Sequence, residues 1–107
     1  MNMNSKMMSK YFRVLSNPTR LAIFLDILDT SCESCMEKAD MSDNCVTMIA
    51  KCLNIPQPTV SNHVKELVES GLVESKRKGK NIYLFPTQGC SDAMIEFSKY
   101  VSEKVSK

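Results

Sequence analysis

The sequence predicts a mainly α-helical fold with one small β-hairpin, in the order α-α-α-α-β-β-α. Three observations support this prediction. Apolar residues recur at helical spacing through the first two thirds of the chain. Two short runs typical of strands follow, with a Lys-Gly pair between them. A last apolar stripe at helical spacing lies near the C-terminal end. A short helix, a turn, a second helix and a basic hairpin form the layout of a winged helix-turn-helix.

The first two helices are predicted from periodicity and capping. A helix over residues 5–15 is indicated by apolar residues that share one face: Met8, Tyr11, Phe12 and Leu15. Asn17 is a good N-cap for a second helix, and Pro18 suits its first position, where no backbone N–H is needed. That helix, residues 18 to about 28, is apolar almost all round. We therefore expect it to be buried on most faces, at the centre of the fold.

The third and fourth helices, about residues 46–53 and residues 57–70, are separated by a sharp turn. The inner stripe of the third helix consists of Val46, Ile49, Ala50 and Leu53. The turn contains Asn54, a residue type that tolerates the left-handed conformation. The inner stripe of the fourth helix consists of Val60, Val64, Leu67 and Val68. Gly71 is predicted to end this helix as its C-terminal cap.

The remaining elements are a hairpin and a last helix. Residues 72–77 and 80–85 are predicted as two strands, with Lys78-Gly79 near the turn. A helix over about residues 91–105 is indicated by one apolar stripe: Met94, Phe97, Val101 and Val105.

Positive and negative charge are segregated along the chain. The net charge of +2 does not by itself indicate a nucleic-acid partner. However, four of the 14 basic side chains lie in Lys76-Arg77-Lys78-Gly79-Lys80, whereas acidic residues dominate residues 26–43. A basic cluster of this kind is typical of a phosphate contact.

The fourth helix and the hairpin together predict a DNA-binding surface. A helix fits the major groove, and side chains near its N-terminal end contact base edges. The candidate DNA-binding residues on this helix are Gln57, Thr59, Ser61, Asn62, His63 and Lys65. Those on the hairpin are Lys76, Arg77, Lys78 and Lys80, whose charges give affinity without sequence information. We expect double-stranded DNA as the partner, with no cofactor required for binding.

Five segments resemble the ArsR/SmtB-type regulators. Leu15-Ser16-Asn17-Pro18-Thr19-Arg20-Leu21 resembles their opening signature, and the likeness continues in residues 49–53, 57–67, 71–73 and 78–83. The resemblance implies a homodimeric repressor that a ligand, often a metal or metalloid ion, releases from its operator. It also implies a dimer interface made by the first and last helices. We accordingly expect one DNA-binding and dimerisation domain over residues 1–107, with a cysteine-containing acidic insert at about residues 30–44.

The sequence also departs from the family pattern at three places. Asn62 stands where many members have Arg, so the base preference of those members does not carry over. Thr47 stands where arsenic-sensing members have a second cysteine, although Cys45 matches the first. The last helix has no His, which argues against the His and carboxylate site common in zinc-sensing members.

The five cysteines are an odd number in a chain without a predicted signal peptide. Reduced thiols, metal ligands or redox sensors are therefore expected rather than a disulfide scaffold. Cys45 and Cys52, two helical turns apart, are separated by about 10 Å, whereas two sulfurs on one ion lie about 4 Å apart. We predict instead a three-thiolate site made by Cys32, Cys35 and Cys45, suited to As(III), Cd(II), Hg(II) or Zn(II).

The two other thiols carry weaker expectations. We interpret Cys52 as a small hydrophobic core residue. Cys90 is predicted to lie just before the last helix, where packing and a role across a subunit interface are both open.

Three functions follow from these features. The leading hypothesis is a repressor released from its operator by As(III), Cd(II) or a similar ion bound to thiolates. The alternative is a repressor that senses thiol oxidation or persulfides. A thiol–disulfide enzyme is disfavoured, because no βαβ pattern accompanies the Cys-x-x-Cys pair, and we predict that the chain is not an enzyme. Since neither a signal peptide nor a membrane-spanning run is visible, we expect a cytoplasmic protein.

Overall fold

The computed structural model describes residues 4–30, 45–79 and 81–105. Their elements are, in chain order, α1 Ser5–Leu15, α2 Pro18–Thr30, α3 Cys45–Leu53, α4 Gln57–Ser70, β1 Val73–Lys78, β2 Asn81–Pro86 and α5 Gln88–Val105. Five helices and one two-stranded antiparallel sheet are thus present in the described ranges, which confirms the predicted mainly α class with a small hairpin. Residues 31–44, which hold most of the predicted insert, lie outside the described residues.

The first two helices are capped by asparagine side chains. Asn4 Oδ1 accepts a hydrogen bond from the backbone N–H of Met7 at 3.1 Å, which makes Asn4 the N-cap of α1. Asn17 Oδ1 accepts from the N–H of Arg20 at 3.0 Å, which confirms the predicted N-cap of α2. The guanidinium of Arg20 donates through Nη1 to the carbonyl of Val14 at 3.0 Å. This bond holds the start of α2 against the end of α1.

Left-handed residues form the turn after α3 and the end of α4, as predicted. Asn54 has a φ of 54°, and the N–H of Ile55 donates to the carbonyl of Ala50 at 3.0 Å. Gly71 has a φ of 88°, and its N–H donates to the carbonyl of Val68 at 3.1 Å. Both bonds satisfy carbonyl groups that a helix end leaves without a partner.

The hairpin is displaced by one residue from its predicted bounds. Lys76 pairs with Tyr83 and Lys78 pairs with Asn81, so β1 ends at Lys78 and β2 begins at Asn81. Gly79 has a φ of 63°, which suits a tight turn. The apolar pattern of the strands does not determine their terminal residues, and the turn residue with positive φ sets the register.

The core lies between α2, α3, α4 and the hairpin. Its largest fully buried side chains are Ile23, Ile27, Ile49, Val60, Leu67, Leu72, Val73 and Leu84. The central helix α2 contacts α1, α3, α4 and β2. However, it is not buried on most faces, because Leu21, Leu25 and Leu28 are 38%, 51% and 41% exposed. The prediction was wrong on this point, since the neighbouring elements cover only the side that carries Ile23, Phe24 and Ile27.

Three further local predictions are corrected by the structure. Val68, predicted to face inward on α4, is exposed. The last helix begins at Gln88 instead of about residue 91, because Thr87 Oγ1 accepts from the N–H of Cys90 at 3.0 Å. Cys90 therefore lies inside the first turn of α5 and is buried.

No helix in the described ranges combines the length and apolarity that crossing a membrane requires.

Candidate nucleic-acid interface and thiol sites

The polar face of α4 points away from the core. Val60, Val64 and Leu67 are buried, which turns the intervening residues outward. Among the predicted DNA-binding residues on this helix, those that are exposed are Gln57, Thr59, Ser61, Asn62 and Lys65, whereas His63 is half-buried. No side chain caps the N-terminal end of α4, where Pro56 occupies the N-cap position. The backbone N–H groups of its first turn therefore suit an anionic partner.

The basic hairpin presents its charges at the surface. Lys76, Arg77 and Lys78 are exposed, and Lys80 lies outside the described residues. The ammonium of Lys76 lies 3.8 Å from Glu74 Oε1 and 4.8 Å from the centre of the Phe85 ring. An exposed ion pair of this kind is weak, but these contacts still hold the Lys76 side chain along the hairpin. Arg77 and Lys78 are thus the described basic residues closest to the tip.

An open groove of about 400 Å³ lies between α4 and the hairpin and is bounded on a third side by Val46 of α3. Its apolar lining is formed by Val46, Val64, Val68, Ile82 and Leu84. Its polar lining is formed by Ser61, Lys65, Glu69 and Ser75. Ser75 and Glu69 were not among the predicted site residues. Their position depends on how α4 and the hairpin pack together, and no residue pattern signals that arrangement.

Cys45 is buried at the start of α3 and touches the hairpin. Burial raises the pKa of its thiol, and the negative charge of Asp26 raises it further. A hydrogen bond from the backbone of Leu84 acts on the pKa in the opposite direction. Without a cation Cys45 is therefore held as a neutral thiol. The same negative field favours a bound soft cation, so this donor fits the predicted class of ligand.

Cys52 is not a core residue, which corrects the prediction. It is exposed, and its Sγ lies 3.9 Å from Asp26 Oδ1. Partial burial, with the neighbouring charge of Asp29, raises the pKa of Asp26, whereas the hydrogen bond from Cys52 lowers it. Burial also raises the pKa of the Cys90 thiol in α5.

The predicted three-thiolate site is described only at Cys45. Cys32 and Cys35 lie outside the described residues. Within residues 4–30, 45–79 and 81–105, no group of three or more His, Cys, Asp or Glu side chains is placed to hold a metal ion. The site therefore stays a prediction, with Cys45 as its described member.

The arrangement of α3, the turn, α4 and the hairpin defines a winged helix-turn-helix protein. A family model described as a helix-turn-helix domain matches residues 46–76, which cover most of α3, all of α4 and the first four residues of β1. An arsenical resistance operon repressor of Staphylococcus xylosus is 37% identical over 82 residues, or 76% of this chain and 67% of that protein. An uncharacterised HTH-type regulator of Methanocaldococcus jannaschii is 31% identical over 96 residues, or 89% and 91%. The chain belongs to the ArsR/SmtB family of winged helix-turn-helix regulators.

Other relatives agree with this assignment. The SmtB transcriptional repressor of Mycobacterium tuberculosis is 33% identical over 70 residues, which are 65% of this chain and 43% of that repressor. The matched segment thus spans less than half the length of that relative. These relatives are transcriptional regulators, in agreement with the prediction that the chain is not an enzyme.

Solved structures share the fold. An ArsR-like regulator from Rhodococcus superposes with a TM-score of 0.68 at 19% identity, over 95% of this chain and 85% of that one. Reduced HlyU from Vibrio cholerae superposes with a TM-score of 0.65 at 21% identity, over 92% and 90%. The order of helices and hairpin is therefore the one found in these proteins.

Proposed function

We propose that this chain is a transcriptional repressor that binds double-stranded operator DNA through α4 and the β1–β2 hairpin. One observation carries the proposal: the exposed polar face of α4 lies beside an exposed basic hairpin, in a chain of a regulator family. The candidate contacts remain those predicted on α4 and the hairpin. We also propose that residues 1–107 form one domain. We propose a cytoplasmic location, where DNA and reduced thiols occur together.

The repressor acts as a homodimer through α1 and α5. From its middle to its C-terminal end, α5 exposes apolar side chains: Ile95, Tyr100, Val101 and Val105, the last at 79%. Phe12 of α1 meets Phe97 of α5 with ring centroids 5.0 Å apart, so the two helices present a shared apolar surface. An exposed apolar surface of this kind is typical of an interaction site, and a second copy of the chain would remove it from water. To bind successive major grooves, the two α4 helices of such a dimer must lie about 34 Å apart.

The inducer is an ion bound by the thiolates of Cys32, Cys35 and Cys45. Cys45 lies where α3 meets β2, and it shares a hydrogen bond with the backbone of Leu84. An ion on Cys45 replaces the thiol proton and competes for that sulfur. Loss of the hydrogen bond between Cys45 and the backbone of Leu84 would therefore shift β2. The shift would extend to β1, because Leu84 pairs with Ser75 across the sheet. As(III) is the first candidate, since the Staphylococcus xylosus relative is named for arsenical resistance, and Cd(II) is the second.

The test follows ion binding and DNA release in one titration of the reduced, purified chain. Thiolate charge-transfer absorbance reports the ion, and the anisotropy of a labelled duplex, selected from a random-sequence pool, reports DNA. We expect As(III) or Cd(II) to raise the first signal and lower the second in parallel. C45S should lose both responses, whereas C52S, which changes an exposed thiol on the same helix, should keep them.

Two outcomes would contradict this mechanism. Equal responses of C45S and the wild type would remove Cys45 from the inducer site. Release by a mild oxidant, with no response to either ion, would favour the redox alternative through Cys32 and Cys35.

A further inference from the structure

The groove between α4 and the hairpin lies between two elements that the proposed function places on DNA. In a duplex, a major groove of about 12 Å and the neighbouring minor groove of about 6 Å are separated by one sugar–phosphate strand. If α4 occupies the major groove and the hairpin the adjacent minor groove, that strand must pass between them. The space available for it is the α4–hairpin groove.

We propose that the α4–hairpin groove seats the sugar–phosphate strand of the operator, with Ser75 as a phosphate contact and Glu69 as a residue that weakens binding. This inference rests on the proposed function and adds residues outside the predicted interface. It names one occupant, the deoxyribose-phosphate backbone of duplex DNA.

The polar lining of the groove suits phosphate oxygens. Ser61 and Lys65 lie on α4, and Ser75 faces them from β1. Hydroxyl and ammonium groups are common phosphate contacts, and these contacts fix the register of a protein on the duplex. All three side chains are exposed, so they are accessible to a strand that enters from solvent. The basic residues of the hairpin continue the positive charge beyond Ser75.

The apolar lining suits the sugars. Val64 and Leu84 form a buried floor, and Val68 is exposed at 38%. The C–H faces of deoxyribose cover such a surface without leaving polar atoms unpaired. A seated strand therefore accounts for the exposure of Val68, which helical periodicity alone assigns to the core.

Glu69 lies at the end of the α4–hairpin groove that is unfavourable for phosphate. It lies two helical turns beyond Ser61 on the same side of α4, and its carboxylate repels phosphate. The groove is therefore favourable at the N-terminal end of α4 and unfavourable towards its C-terminal end. This gradient limits how far the strand enters.

The experiment compares S75A and E69Q with the wild-type full chain on a duplex of about three helical turns at low salt. E66Q is the matched control, because Glu66 is exposed on the same helix, carries the same charge and does not line the groove. We expect S75A to bind at least about tenfold more weakly, because it loses a hydrogen bond to a charged phosphate. We expect E69Q to bind about threefold more tightly than E66Q, because the carboxylate it removes lies beside the strand.

A neutral methylphosphonate placed in turn at each phosphate supplies a second readout. When the phosphate that Ser75 contacts is replaced by a methylphosphonate, S75A should not weaken DNA binding any further. A general loss of protein stability would instead weaken binding to every duplex alike. If the wild type binds no duplex, the proposed function fails. If the wild type binds but S75A matches it, E69Q matches E66Q and no phosphate couples to Ser75, the groove proposal is overturned and the proposed function stands.

Discussion

Removing the two basic side chains nearest the hairpin tip among the described residues should reduce the salt dependence of DNA binding by a defined amount. The variant is R77A/K78A, which leaves Lys76 in place because Glu74 and Phe85 already engage its ammonium. Each phosphate neutralised contributes about 0.9 to the slope of log affinity against log salt. Two lost contacts therefore make the slope shallower by about 1.8 for each bound protomer.

This slope converts into a measurable difference. Between about 50 and about 200 mM salt, wild-type affinity should fall about twelvefold more than that of R77A/K78A, for each protomer. Fluorescence anisotropy of a labelled duplex at several salt concentrations gives both slopes. The control is K6A/K10A, which removes two exposed positive charges from α1 and should leave the slope unchanged. Equal slopes for R77A/K78A and the wild type, or equal losses in both variants, would refute the placement of the hairpin on DNA.

Four further outcomes are expected. G71A should lower the free energy of unfolding, measured in urea, by about 1 kcal/mol, because a Cβ disfavours its φ of 88°. Among the described thiols, Ellman's reagent should modify the exposed Cys52 first. Because the pKa of Cys45 is raised in the folded chain, the unfolded chain loses its proton first, so stability should fall as pH rises through and above the ordinary thiol range; equal stability at pH 7 and pH 10 would contradict this sign. V101D should shift the chain towards monomer in light scattering with little change in monomer stability, since Val101 is 45% exposed.

Local features of the fold were predictable because single residues determine them. Asn17 and Pro18 define the start of α2, and Asn54 and Gly71 adopt the left-handed conformations that end two helices. The helical stripes also identified residues that are now seen to be buried, such as Ile49 and Leu67. These signals act over a few residues and do not depend on how distant elements pack.

Errors arose where burial depends on a distant neighbour. Periodicity assigns Val68 and Cys52 to helices, but it does not show which faces other elements cover. Leu25 on α2 is exposed for the same reason, although its helix is apolar almost all round. The α4–hairpin groove and the contact of Cys45 with Leu84 arise from packing between segments distant in sequence. No spacing within the sequence predicts either of them.

Sequence-selective duplex binding is the measurement that decides whether α4 recognises bases in operator DNA. Duplexes selected by the reduced wild-type chain from a random-sequence pool should be titrated beside scrambled duplexes of equal length. If α4 contacts base edges while the hairpin holds the backbone, the selected duplex should bind at least about a thousandfold more tightly. Equal affinity for selected and scrambled duplexes, across all salt concentrations, would contradict the account.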